Sequence, residues 1–144
     1  MTENPQPQPV KDPLALGLGS LGGGVGFGGA CLTAGQIAAA VLPRELEPGG
    51  YRDAAAYPLL AGLILAVGVG GASGWYRSFA LDNIWQRGVI AVLAAVGSLL
   101  AGFLAAPLER FFGVIGLIVW LILNVAFGIL CTRWAIKGRG AEVA

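Results

Sequence analysis

Four long apolar stretches, residues 14–42, 55–76, 88–106 and 111–132, contain no Asp, Glu, Lys, Arg or His. A helix needs about 20 mostly apolar residues to cross the hydrocarbon core of a bilayer. Backbone inside that core must satisfy its own hydrogen bonds, which a helix does within one segment. The chain therefore reads as an all-α polytopic membrane protein. Its four transmembrane helices are expected to pair as two antiparallel hairpins, with a glycine-rich first helix. Charged residues are 12% of the sequence, against about 25% in soluble domains, which agrees with that reading. The expected organisation is a disordered Pro-rich arm over 1–13, a four-helix domain over 14–134 and a short basic tail over 135–144.

The absence of ionisable groups from the spans also limits function. Such groups inside a membrane usually mark ion pathways, proton relays and cofactor ligands. The chain has no histidine at all, and so lacks the commonest metal ligand and the usual general base at neutral pH. The acids Glu45, Glu47, Asp53 and Glu109 all fall in the first and third loops. Cys31 and Cys131 lie at different expected depths, about 20 Å apart at 1.5 Å per residue, too far for a disulfide. They read as small packing residues. No nucleophile–base pair emerges, so the chain is expected not to be an enzyme and to hold no cofactor or metal. The net charge of +1 gives no reason to expect nucleic acid.

Counting basic residues gives an orientation. The N-terminal arm, second loop and C-terminal tail carry Lys11, Arg77, Arg87, Arg133, Lys137 and Arg139. The first and third loops carry Arg44, Arg52 and Arg110. Under the positive-inside rule both termini are expected in the cytoplasm, in a bacterial inner (plasma) membrane. Residues 1–13 hold Glu3, four prolines and one basic residue, unlike the positive start of a signal peptide. Trp75, Tyr76, Trp85 and Trp134 are the expected anchors at the inner interface. Tyr51, Tyr57, Phe111 and Phe112 are their counterparts at the outer one. Residues 77–87 mix aromatics with charges and read as a segment in the headgroup region. Pro107-Leu108-Glu109-Arg110 reads as a tight turn that makes helices three and four antiparallel neighbours.

The strongest local signal is in the first span. Gly17, Gly19, Gly22, Gly23, Gly24, Gly26, Gly28 and Gly29 crowd into thirteen residues. Each costs a soluble helix about 1 kcal/mol relative to alanine, whereas in a membrane each lets another backbone approach closely. Gly19/Gly23, Gly22/Gly26 and Gly24/Gly28 are G-x-x-x-G pairs. Glycine nearly all round the helix implies close contact on more than one side. The functional reading is a tight interface with copies of the chain or with a larger protein; the alternative is packing against helices two to four alone. The stretch 17–22 also spells G-x-G-x-x-G, but it lies inside an apolar span and follows no strand, so it is not a dinucleotide fingerprint. In composition the run is similar to the first helix of rotary ATP synthase proteolipid subunits. Those are two-helix hairpins with an essential carboxylate in the second helix. That carboxylate has no counterpart here, so the likeness implies no proton carriage.

The fourth span holds an ordered stripe. Gly113, Gly116, Trp120, Asn124, Phe127 and Cys131 recur at steps of three or four, which places them on one helical face. The indole N–H of Trp120 needs an acceptor, and Asn124 needs an interhelical partner. Trp120, Asn124 and Phe127 read first as a polar clamp on the bundle and second as a contact for lipid, a quinone tail or a pigment edge. Gln36 and Thr33 offer a candidate polar path near the outer end of the first span. The leading functional expectation is a non-catalytic accessory subunit that stabilises a larger membrane complex (respiratory, photosynthetic or transport), with membrane lipids and the other subunits as partners. The alternative is a self-assembling, holin-like or small channel protein. A small transporter ranks third, for want of a membrane-embedded carboxylate.

Overall fold

The computed structural model describes residues 10–42 and 50–140, with side chains in the second helix described from residue 56 onward. The Pro-rich stretch 1–9, most of the first loop and residues 141–144 lie outside the described residues. The order is α1 (Pro13–Val41), α2 (Gly50–Arg77), α3 (Ile84–Phe103) and α4 (Ala105–Gly138). All four are long and apolar enough to cross a membrane. The chain is thus an all-helical protein with the character of a multi-pass membrane protein.

Local chemistry sets the helix ends. Asp12 caps α1, its carboxylate accepting from the N–H groups of Leu14 and Ala15, both at 3.1 Å. Pro13 follows at the first helical position, where its missing N–H costs nothing. Asn83 caps α3 by accepting from Trp85 N–H at 2.9 Å. The stretch 77–87 is a short turn after Arg77 followed by the first residues of α3.

The third connection also differs from expectation. Pro107-Leu108-Glu109-Arg110 is helical rather than a turn, and only Leu104 separates α3 from α4. The break lies at Gly113, with φ 61° and ψ −147°, a backbone region open essentially to glycine alone. It divides α4 into residues 105–112 and 114–138. Gly113 therefore does not continue the helical phase of the stripe that begins at Gly116.

The packing is centred on α1, which is the most buried of the four helices. Gly35 faces Pro58 and Gly62, Gly28 faces Ala66, and Gly24 faces Gly70, so α2 runs antiparallel to α1. Gly19 faces Ala135, Gly26 faces Gly128 and Gly29 faces Asn124, so α4 is antiparallel to it as well. Gly24 meets Ala94, Gly28 meets Ser98 and Gly102 meets Leu32, so α3 runs parallel to it. α2 and α3 pack together, whereas α3 and α4 touch little despite their short connection. The central helix comes between them. The two ends of the described chain meet where Asp12 N–H donates to the Gly138 carbonyl at 2.9 Å. Large apolar side chains such as Ile64, Val92, Ile115, Ile122 and Leu130 point outward, as lipid-facing surfaces require.

Candidate functional site

The glycines of α1 are where the sequence points to an interface. Each of the five candidates meets a neighbour within the chain. An ideal Cβ on Gly26 would lie 2.7 Å from the Asn124 carbonyl oxygen and from the Gly128 backbone. On Gly19 it would lie 2.5 Å from the Ala135 nitrogen, and on Gly22 2.5 Å from the Cys131 sulfur. On Gly28 it would run into Ser98 and the Ala66 carbonyl. Gly23 is looser, at 3.1 Å from the Thr132 hydroxyl oxygen and 3.4 Å from the Arg77 side chain. A helix with three intramolecular neighbours uses glycine on three sides. Glycines on the three sides of α1 thus meet α2, α3 and α4. Ser98, which the sequence does not single out, sits at the junction of α1, α2 and α3. Its hydroxyl is within hydrogen-bond reach of the Ala94 carbonyl at 2.6 Å and the Gly24 carbonyl at 3.2 Å.

In the candidate polar stripe of α4, Trp120 finds its acceptor on α3, whereas the amide of Asn124, expected to bond across helices, donates within its own helix. Trp120 Nε1 donates to the Ala101 carbonyl of α3 at 2.7 Å. Asn124 Nδ2 donates to the Trp120 carbonyl at 2.9 Å, and its Oδ1 lies over Gly29 of α1. Trp120 is therefore the polar tie across the thin α3–α4 junction. Trp120→Phe keeps an aromatic ring and removes that bond. The expected loss is about 0.6 kcal/mol and at most about 1.7 kcal/mol, the range for such bonds in bilayers. It is read from the unfolding midpoint in mixed detergent–SDS micelles. Thr33 and Gln36 do not align along a path. Thr33 Oγ1 donates to the Gly29 carbonyl of its own helix at 2.9 Å. Gln36 Nε2 reaches the Gly102 carbonyl at 3.2 Å and ties α1 to α3.

Because α4 is held almost entirely through α1, open grooves flank it on both sides. The groove between α3 and α4 measures about 410 Å³ and is lined by Val25, Ala101, Leu104, Trp120, Leu123, Asn124 and Phe127. Two clefts of about 390 and 290 Å³ lie between α2 and the α1–α4 pair, and they share Ser73 and Arg77.

Arg77, Arg87 and Arg139 gather at the end of the bundle where the chain ends meet. Each lays its guanidinium on an aromatic face, Arg77 on Phe27 at 5.0 Å, Arg87 on Trp75 at 4.4 Å and Arg139 on Phe79 at 4.6 Å. Arg139 Nη2 also donates to the Arg77 carbonyl. Burial lowers the Arg139 pKa from the ordinary arginine range, with Tyr76 acting in the opposite direction. The anchors Trp75, Tyr76, Trp85 and Trp134 are all exposed. At the other end Tyr57, Phe111 and Phe112 are exposed; Tyr51 falls outside the described side chains. Cys31 lines the 390 Å³ cleft and Cys131 packs against Gly22. Among the described residues no cluster of His, Cys, Asp and Glu is arranged to hold a metal.

No family model, curated protein or solved structure matches this chain.

Proposed function

We propose that this protein is a non-catalytic accessory subunit of a larger membrane complex, and that it lies in a bacterial inner membrane with both termini in the cytoplasm. The observation that carries the proposal is the open groove between α3 and α4. Bundles bury small residues against a neighbouring helix, yet here Ala101 and the flank of α1 at Val25 line an unfilled groove of about 410 Å³. A transmembrane helix of another subunit would complete that packing. The groove offers apolar shape with no unpaired polar group on Trp120, which suits assembly rather than chemistry. The glycine run then serves the bundle itself, drawing four helices into a wedge whose α3–α4 groove meets the partner.

The alternative, a self-assembled pore, is less well served. The centre of the bundle is filled by α1, whose backbone touches its neighbours too closely to leave a channel. A pore between copies would be walled by outward side chains such as Ile64, Val92 and Ile122, which do not replace ion hydration. Native mass spectrometry of the tagged protein, extracted from its host in mild detergent, tests the proposal. The expected result is a discrete mass with larger subunits in fixed stoichiometry. A ladder of identical subunits would favour the pore, and a stable monomer would overturn both readings.

A further inference from the structure

We propose that the two clefts between α2 and the α1–α4 pair, which meet at Ser73 and Arg77, together form a binding site for one anionic phospholipid, its phosphate held by Arg77, Arg139 and Ser73. The argument is independent of the accessory role. Arg77 closes the last turn of α2, where a long basic side chain ordinarily snorkels outward to the headgroups. Here it turns back along α1 instead, passing Gly23 and ending over Phe27.

Three polar atoms in these clefts, Arg77 Nη1, Arg139 Nε and Ser73 Oγ, are buried without a hydrogen-bond partner. A buried unpaired donor is costly, more so when charged. The charged neighbour that bears on Arg77 is Arg139, a like charge. Each guanidinium lies over an aromatic ring, Arg77 over Phe27 and Arg139 over Phe79, a contact that leaves Arg77 Nη1 and Arg139 Nε without an acceptor. Arginine presents those donors in a fork that matches phosphate oxygens.

The remaining lining gives the occupant its other half. Beyond Arg77 the larger cleft is walled by Phe27, Ala30, Cys31, Ala34 and Val69, an apolar strip that follows α1 from residue 27 to 34, about 10 Å of helix. A free phosphate would leave that strip unused. A phospholipid fills both parts, with its phosphate at the arginines and an acyl chain along the strip. Basic pockets between transmembrane helices are known to take anionic headgroups.

The test is native mass spectrometry of the delipidated full-length protein titrated with phosphatidylglycerol or phosphatidylcholine. One phosphatidylglycerol per chain is expected to be retained at least about tenfold more tightly than phosphatidylcholine, whose phosphate is the same but whose choline cation brings a further positive charge to the two arginines. R77Q/R139Q should abolish that preference, whereas R133Q/K137Q, on exposed residues of α4, should keep it. Ala34→Trp should weaken phosphatidylglycerol binding by plugging the apolar strip with both arginines intact, and it keeps the proposal testable if the double arginine variant does not fold. Equal retention of the two lipids, or an unchanged preference in R77Q/R139Q together with unchanged phosphatidylglycerol binding in Ala34→Trp, would overturn the proposal. Displacement of the lipid by millimolar inorganic phosphate would identify a phosphate site and overturn it too.

Discussion

Gly26→Leu is expected to unfold the bundle rather than release a partner. The new side chain would have to grow from a point 2.7 Å from the Asn124 carbonyl oxygen and the Gly128 backbone. Backbone cannot step aside as a side-chain tip can. Overpacking a core costs about 1–3 kcal/mol and occasionally more; here the whole leucine side chain meets backbone, which places the cost at or above the top of that range. The loss should appear as a monomer that unfolds at much lower SDS fraction, or fails to accumulate in the membrane. Gly68→Ala is the matched control, because a Cβ there meets nothing within 4 Å. It should be neutral or gain up to about 1 kcal/mol from helix propensity. If Gly26→Leu kept the monomer's unfolding midpoint, α1 would not be the core of the bundle.

A second large effect is expected where there is no crowding at all. Nothing lies within 4 Å of a Cβ on Gly113, yet its φ of 61° is one that side chains rarely allow. Gly113→Val should cost about 1–3 kcal/mol through backbone strain alone. Gly113→Ala should show most of the same loss, since the penalty attaches to the Cβ and not to its size. Unfolding titrations of the two variants test this directly. A valine loss several times the alanine loss would mean that space, not dihedral angle, governs the site.

These two glycines also show what sequence can and cannot reveal. The four spans are legible because an unbroken apolar run has one stable form in a bilayer. The crowding of glycine in α1 is legible as close approach on several sides. What the sequence does not contain is the identity of those sides. Gly19, Gly22, Gly26 and Gly28 would look the same facing a partner or facing α2, α3 and α4. Gly113 sits within a regular apolar pattern, and the proline at 107 draws the expected turn to the wrong place. A proline is tolerated near the start of a helix, and that is where Pro107 lies. The spacing of Trp120 and Asn124 does mark a real cluster, since both lie on one face of a continuous helix. Arg77 reads from its place at the end of a span as one of several basic residues that attract anionic lipid at the surface, or as an ordinary orientation signal. Its inward turn depends on Phe27, fifty residues earlier in the chain, and on the space that glycine at 23 leaves for it.

If the protein is a wedge completed by another subunit, contact with that subunit must be confined to one side. The most direct measurement places a photo-crosslinking residue in turn at Leu123 in the α3–α4 groove and at Ile64 and Val92 on outward faces, in cells of the native host. The account predicts a crosslink of one defined mass to a larger membrane protein from Leu123, and only lipid adducts from Ile64 and Val92. Crosslinks to a second copy of the chain from all three positions, or none from Leu123, would contradict it.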